Sequence, residues 1–186
     1  MIDRAIAFAV KAHEGQLRKG TDIPYIFHPI EVGMIVSRIT DDAEVIAAAV
    51  LHDTVEDCAS VTLDVIRQEF GDRVARIVGL ESEDKSKNWE ERKAGTVRAL
   101  KKETMREAKI VALGDKLSNI RCFYADYVKL GDELWQRFNM KDKRMQGRYY
   151  MGLCDALSDL SDLEEYKEFC RMVQMVFGDV IADDQS

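Results

Sequence analysis

Two of the three histidines in this chain occur in patterns that suit metal binding. His28 lies in the run PYIFHP, directly before Pro29, and His52 is followed directly by Asp53. Asp115 lies in a later segment, ALGDKLSN. Two imidazoles and two carboxylates from three segments form a mixed nitrogen and oxygen ligand set, which suits Mn²⁺, Fe²⁺ or Zn²⁺ better than Ca²⁺. Such a set leaves coordination positions open for water or a phosphate oxygen, as catalysis requires.

Two further carboxylates follow the histidine–aspartate pair. Glu56 stands four residues after His52, and Asp57 stands four residues after Asp53. In a continuous helix this spacing would group the side chains on neighbouring faces. Such a cluster is costly to bury unless a cation offsets its charge. A lone histidine in an apolar helix is more often a core residue, and an isolated Asp115 would suit a turn, but the joint pattern favours a metal site.

The distribution of apolar residues predicts an all-α protein, with one small β-hairpin as an option in the loop before His28. The segment Val45–Leu51 is apolar nearly all round, so we expect a helix at the centre of the core. Helix signals include a cap at 40–42, Thr62 as an N-cap and Gly71 as a stop. The predicted helical segments are 2–13, 29–39, a helix through 45–51, 63–70, 72–81, 89–101, 105–127, 134–138, 144–160 and 163–177. A break near Cys122 is an option, and a charged polar loop covers 83–88.

Composition limits the class of protein. A length of 186 residues suits one domain, here a core over about 1–127 completed by helices over 128–186. A net charge of −7 and a pI near 5.1 argue against a general nucleic-acid binder. The four cysteines form no C-x-x-C pair, which favours reduced thiols in the cytoplasm. Neither a signal peptide nor an apolar run long enough to cross a bilayer is predicted.

The order His…His-Asp…Asp resembles that of the HD phosphohydrolase superfamily. The residues that flank these four positions resemble a narrower group within that superfamily. This group comprises the hydrolase domain of RelA/SpoT-type proteins and the stand-alone small alarmone hydrolases, including the metazoan SpoT homologue. The resemblance covers about residues 1–127. The motifs that carry it are AHEGQ (12–16), RKG (18–20), PYIFHP (24–29), LHDTVED (51–57), FG (70–71) and DKLSNIR (115–121).

This resemblance implies hydrolysis of guanosine tetra- or pentaphosphate, the alarmone of the stringent response, with release of pyrophosphate from the 3′ position. Mn²⁺ would be the usual metal, with Fe²⁺ or Zn²⁺ as alternatives. The implied ligands are His28, His52, Asp53 and Asp115. Glu56 and Asp57 would position and deprotonate the attacking water. The implied substrate-binding residues are Arg18, Lys19, Tyr25, which would also order its loop, and Asn119.

Other features are open to more than one interpretation. Arg92 and Lys93 could close over nucleotide phosphates or simply begin a solvated helix. His13 is interpreted as a core residue, with contact to the pocket as the alternative. The pair Tyr149-Tyr150 and the segment 172–177 are expected in helix packing, although a homo-oligomer contact is an alternative.

Two rival functions remain beside alarmone hydrolysis. One is an HD hydrolase acting on another nucleotide or phosphoester. The other is a sensor that binds a nucleotide without turnover. The paired carboxylates Glu56 and Asp57 argue against a sensor, because binding alone does not need acidic side chains beside a metal.

Overall fold

The computed structural model of the chain describes residues 1–81 and 86–183. Its helices are α1 (Ile2–Ala12), α2 (Phe27–Ile39), α3 (Ala43–Leu51), α4 (Thr54–Asp57), α5 (Leu63–Phe70), α6 (Asp72–Glu81), α7 (Trp89–Lys102), α8 (Arg106–Leu130), α9 (Lys143–Ala156) and α10 (Glu164–Asp183). Short 3₁₀ helices cover Gly131–Arg137 and Ser158–Leu160. The predicted all-α class is confirmed. Residues 83–85 of the predicted polar loop lie outside the described residues.

The capping signals act as predicted. Asp42 accepts a hydrogen bond from the Glu44 amide at 2.9 Å, which begins α3. Thr62 accepts one from the Val65 amide at 3.3 Å, which begins α5. Gly71 ends α5 with a φ of 96°, a left-handed conformation that glycine adopts without strain. Caps of this kind satisfy backbone groups that a helix end leaves without partners.

Several predicted elements differ from the structure, among them the helix predicted over 144–160, which ends at Ala156 before a separate 3₁₀ helix. The central helix is not continuous through the acidic cluster: α3 ends at Leu51, and α4 is a separate single turn. Helix α8 runs unbroken past Cys122, where the chain has neither proline nor glycine to interrupt it. The optional hairpin is reduced to one antiparallel bridge between Leu17 and Pro24, and the described residues contain no sheet.

The described residues fall into two compact units, one drawn from Met1–Glu83 and Met105–Asp115, the other from Asp84–Thr104 and Lys116–Ser186. The first unit is built around α3, whose residues from Val45 to Leu51 are all buried. Helices α1, α2 and α6 pack against it. This arrangement confirms that the apolar segment is central to the core.

Close helix contacts in the first unit depend on glycine. A Cβ atom at Gly33 of α2 would lie 2.6 Å from Val50 Cγ2 of α3. A Cβ atom at Gly114 of α8 would lie 3.0 Å from Val36 Cγ2 and 3.2 Å from Val32 Cγ1 of α2. Because both glycines lack a side chain, α2 can approach α3 and α8 closely.

The second unit packs α9 against α7 and α10. Its core is aromatic: Tyr150 stacks on Phe177 with ring centroids 5.4 Å apart, and Trp135 lies 5.3 Å from Phe177. Arg121 of α8 forms a two-pronged ion pair with Glu168 of α10, at 2.8 and 2.9 Å. Burial of Tyr150 and Phe177 confirms the predicted helix packing of these segments.

A substitution at Gly33 tests whether α2 packs closely against Val50 of α3. Alanine favours a helix over glycine by about 1 kcal/mol, but overpacking against Val50 costs about 1–3 kcal/mol. We therefore expect Gly33→Ala to lower the free energy of unfolding, measured by urea denaturation. Gly95 of α7 is a matched control, because its Cβ atom would have nothing within 4 Å. Gly95→Ala should raise the free energy of unfolding, and a similar gain in both variants would contradict the close approach of α2 to α3.

Candidate metal centre

Three separate elements of the first unit bring the candidate ligands together. His28 is the second residue of α2, and His52 and Asp53 form the turn between α3 and α4. Asp115 lies on α8, directly after Gly114. Both histidines and Asp115 are buried, and Asp53 is mostly buried.

The ligand atoms converge on a small volume. Nε2 of His28 lies 3.1 Å from Asp115 Oδ1 and 3.5 Å from Asp53 Oδ2. Nε2 of His52 lies 3.0 Å from Asp53 Oδ2 and 3.7 Å from Asp115 Oδ1. His28, His52 and Asp53 each offer one ligand atom, and these three atoms lie within 4.8 Å of one another. The structure thus brings all four predicted ligands to one place.

His52 is oriented for coordination through Nε2. Its Nδ1 lies 2.8 Å from the carbonyl oxygen of Ala49, a contact that requires the proton on Nδ1 because a carbonyl only accepts. Nε2 is buried, and among the described residues no group makes a hydrogen bond to it. A fixed Nδ1–H leaves Nε2 as the ring nitrogen that faces the carboxylates, which is the usual orientation of a histidine that binds a metal. The residues therefore fit a divalent cation.

The charges in this cluster depend on one another. Burial alone would lower the pKa of His52, but the adjacent Asp53 and Asp115 carboxylates raise it well above its ordinary value. Burial would raise the pKa of Asp53, but the positive charge on His52 holds it well below its usual range. Both shifts have the same cause, the attraction between a positively charged imidazole and the carboxylates that face it.

Tyr25 forms a hydrogen bond with one of the candidate ligands, Asp53. Its hydroxyl donates a hydrogen bond to Asp53 Oδ2 at 2.5 Å. Burial and the nearby Asp53 charge raise the pKa of Tyr25 far above its usual value, so the phenol stays a donor. Sequence reasoning assigned Tyr25 to substrate binding and loop ordering and missed this bond, because the two residues are far apart in the chain. Its role in substrate binding remains a prediction.

The predicted catalytic carboxylates follow the ligands on α4. Glu56 is half-buried and Asp57 is exposed. The Asp57 amide donates to the Asp53 carbonyl at 2.9 Å, so the four-residue spacing holds locally although the long helix does not continue. Both carboxylates are therefore on the turn that directly follows Asp53.

Arg18 and Lys19 lie in the loop that leads to His28. The Arg18 amide donates to the Ile23 carbonyl at 2.8 Å, and the Thr21 amide donates to the Arg18 carbonyl at 3.0 Å. These bonds close the loop tightly, with Arg18 half-buried and Lys19 exposed. Both residues thus belong to the same unit as the metal candidates.

The remaining predicted substrate-binding residues belong to the second unit. Asn119 is half-buried on α8, one turn after Asp115. Arg92 and Lys93 lie in the first turns of α7, and the Lys93 ammonium is 5.0 Å from the centre of the Tyr149 ring. Helix α7 begins at a capping box formed by Asn88 and Glu91. Contact between these residues and a nucleotide remains a prediction.

Comparison with known proteins identifies the family. The family model described as HD domain matches residues 5–138. The chain therefore belongs to the HD-domain family, as the sequence motifs predicted. This family implies a divalent metal, and the cluster of His28, His52 and Asp53 is the candidate site.

Two relatives of known name show which HD-domain proteins this chain is similar to. Over 119 residues the chain is 42% identical to a zebrafish (Danio rerio) protein, guanosine-3′,5′-bis(diphosphate) 3′-pyrophosphohydrolase MESH1, covering 62% of this chain and 65% of that protein. Over 126 residues it is 36% identical to a protein of the same enzyme name from Aquifex aeolicus, covering 66% of this chain but 18% of that protein. The chain thus spans less than two thirds of the length of these relatives.

Solved structures agree with the fold. A metazoan SpoT orthologue, described as hydrolysing ppGpp, matches with a TM-score of 0.78 at 24% identity, covering 94% of each chain. The protein lmo0812 from Listeria monocytogenes EGD-e matches with a TM-score of 0.74 at 32% identity, covering 84% of this chain and 99% of that one. Among the helices described in the structure, none has the length and apolar character needed to cross a membrane.

Metal binding should release a proton at neutral pH. The pKa of His52 is raised in the metal-free protein, so its proton must leave before Nε2 can coordinate. We expect Mn²⁺ titrated into metal-free protein to show a binding enthalpy that depends on the ionisation enthalpy of the buffer, with about one proton released per metal. Glu69→Gln, which alters an exposed carboxylate, should behave like the wild type. A binding enthalpy independent of the buffer would contradict protonation of His52 in the metal-free site.

Proposed function

We propose that this chain is a metal-dependent phosphohydrolase that removes pyrophosphate from the 3′ position of guanosine-3′,5′-bis(diphosphate) or its pentaphosphate counterpart. The observation that carries the proposal is the buried group of two imidazoles and two carboxylates, followed at once by a turn with two more carboxylates. The names of the zebrafish and Aquifex relatives support the choice of substrate. Such an enzyme would degrade the alarmone of the stringent response.

In this proposal His28, His52, Asp53 and Asp115 hold one divalent metal, with Mn²⁺ as the preferred ion. Imidazole nitrogens combined with carboxylate oxygens support Mn²⁺ over Ca²⁺, while Fe²⁺ and Zn²⁺ would also suit the set. When bound, the metal would lower the pKa of a water molecule and polarise a phosphoryl oxygen. The buried Asp115, the mostly buried Asp53 and the Nε2 atom of His52 that faces them support the need for this cation.

Glu56 and Asp57 are proposed to take the proton from the attacking water. The water oxygen would form a bond to the phosphorus attached to O3′, the bond from phosphorus to O3′ would break, and O3′ would receive a proton. Pyrophosphate and the 5′-phosphorylated nucleoside would be the products. The position of both carboxylates directly after Asp53 supports this assignment, because a general base must reach the water it deprotonates.

Arg18, Lys19, Asn119, Arg92 and Lys93 are proposed to bind the nucleotide. Arg18 has a planar guanidinium that can stack on a base or form paired hydrogen bonds to phosphate. Its half-buried position in the loop before His28 supports a role at the site entrance. The four free cysteines are compatible with a reducing cytoplasm, where we expect the protein to act.

The direct test is hydrolysis of a nucleotide panel by metal-loaded protein, with phosphate and pyrophosphate separated. We expect the panel member with a 3′-pyrophosphate to be the preferred substrate and pyrophosphate to be the product. Preference for a nucleotide lacking the 3′ group would instead support a general nucleotide phosphohydrolase. Binding of the nucleotide without product would support a sensor.

Variants of the two carboxylates supply the control for that test. Glu56→Gln and Asp57→Asn should each lower kcat by about 10²–10⁴-fold, because a positioned base typically contributes this much. Metal content, measured by elemental analysis, should stay at the wild-type level because neither residue is a proposed ligand. Glu69→Gln removes a carboxylate of similar size at the exposed pair with Arg4 and should keep its activity. Full activity in the double variant of Glu56 and Asp57 would overturn their proposed role.

A further inference from the structure

A buried hydrogen-bond network lies at the end of α1, apart from the proposed ligands. His13 is 3% exposed, and its Nδ1 lies 2.8 Å from Gln16 Oε1. The other end of the Gln16 amide, Nε2, donates to the Asp57 carbonyl oxygen at 3.0 Å. Gln16 therefore bonds to the last residue of α4, the turn with both proposed general bases.

The main chain of Gln16 makes a second connection to the site. Its carbonyl oxygen accepts a hydrogen bond from the Tyr25 amide at 2.9 Å. Tyr25 in turn donates its hydroxyl to Asp53 Oδ2 at 2.5 Å, and its ring lies 5.0 Å from that of His13. Gln16 thus connects Tyr25, which orients Asp53, to the α4 turn that follows Asp53.

The chemistry of the groups fixes each donor and acceptor. The Asp57 carbonyl only accepts, so the Gln16 NH₂ faces Asp57 and its oxygen faces His13. His13 therefore donates from Nδ1, and its Nε2 has no hydrogen-bond partner in the described parts of the chain. Cys58 Sγ lies 3.5 Å from His13 Nδ1 and 3.8 Å from Gln16 Nε2, so the amide is enclosed on this side as well. Rotating the Gln16 amide would break both of its side-chain hydrogen bonds.

The turn that Gln16 contacts is short, and the hydroxyl of Thr54 at its start donates to the Leu51 carbonyl at 2.7 Å. Helix α4 contains four residues, and the backbone bonds that close it include Asp57 to Asp53 at 2.9 Å and Cys58 to Thr54 at 3.1 Å. A single isolated turn is unfavourable because it fixes several backbone angles for few hydrogen bonds. An external donor at the Asp57 carbonyl should therefore limit how far the carboxylates of Glu56 and Asp57 move.

We propose that Gln16, held in orientation by His13, is a positioning residue for hydrolysis. It fixes the α4 turn through its side chain and the Tyr25 segment through its carbonyl group. This inference rests on the proposed function, because the general bases that Gln16 positions are those of the proposed hydrolase. Neither Gln16 nor His13 contacts the substrate or the metal in this account.

Four variants separate positioning from simple packing. Gln16→Met keeps the chain length but loses both hydrogen bonds, and Gln16→Glu keeps the acceptor for His13 but loses the donor to Asp57. We expect each to lower kcat by about 10–100-fold, the range typical of groups that orient active-site residues. The KM should change little, and one metal should remain bound. His13→Leu should act like Gln16→Met, whereas His13→Asn, whose amide can replace the Nδ1 donor, should recover most of the lost kcat.

Arg73→Met is the matched control for stability. Arg73 of α6 bonds to Asp42 at 2.6 Å, Glu44 at 2.9 Å and Glu107 at 3.1 Å. These contacts lie at the N-terminal end of α3, roughly 13 Å along the helix from His52 at 1.5 Å per residue. We expect Arg73→Met to lower the melting temperature while kcat per folded, metal-loaded chain stays at the wild-type value. Equal kcat in Arg73→Met and Gln16→Met would overturn the proposal.

Hydrogen exchange of metal-free protein gives a result that does not depend on activity. Loss of the Gln16 side-chain bonds should speed amide exchange in 54–58 by about tenfold, with no comparable change in α5. Unchanged exchange in both Gln16 variants would overturn the inference even if the protein is a hydrolase. If the wild type hydrolyses no panel nucleotide, the proposed function fails, and faster exchange in 54–58 would still support the positioning of this turn by Gln16.

Discussion

The structure of the first unit depends on one electrostatic constraint. Asp53 and Asp115 each place an oxygen 3.0–3.7 Å from Nε2 of both His28 and His52, in a largely buried site. Carboxylates grouped in this way are unfavourable unless a positive charge lies among them. A divalent cation would supply that charge, and the raised pKa of His52 means that a proton on its imidazole would supply part of it in the absence of a metal. The surrounding groups, from the Ala49 carbonyl to the Tyr25 hydroxyl, fix the directions of the ligand atoms.

The scaffold brings these atoms together through close helix packing. Helix α2 carries His28 and approaches α3 at Gly33 and α8 at Gly114. Helix α3 is buried over its apolar length and ends where the ligands begin, at Leu51. Because the helices are packed tightly, small changes in their separation would change the distances between the ligand atoms. The stability of the core and the geometry of the candidate centre are therefore linked.

Short-range signals were sufficient to predict much of this fold. Caps at Asp42 and Thr62 and the stop at Gly71 use side chains and backbone angles within a few residues, so they can be identified from the sequence. The separation of α3 from α4 could not be predicted, because one helical turn after an apolar helix has the same periodicity as a continuation. The optional break near Cys122 does not occur, since no helix-breaking residue stands there.

In the candidate site, as in the fold, some features follow from residues close together in the sequence and others from contacts between residues far apart in it. The residue types of the metal centre follow from motif spacing, and the four side chains do converge. The contacts that orient them join residues far apart in the chain: Tyr25 to Asp53, and Gln16 to Asp57. Hydrogen bonds of this kind depend on how helices and loops pack, which one sequence does not specify by pattern. His13 was correctly interpreted as buried, but its bond to Gln16 became evident only from the structure.

The central claim is that His28, His52, Asp53 and Asp115 bind one divalent metal. A crystal structure of the Mn²⁺-loaded protein, with anomalous scattering recorded on both sides of the manganese absorption edge, tests this claim most directly. We expect a single strong manganese peak per chain, bonded to Nε2 of both histidines and to an oxygen of each aspartate. A peak bound by other residues, or no peak at this cluster in protein saturated with Mn²⁺, would contradict it.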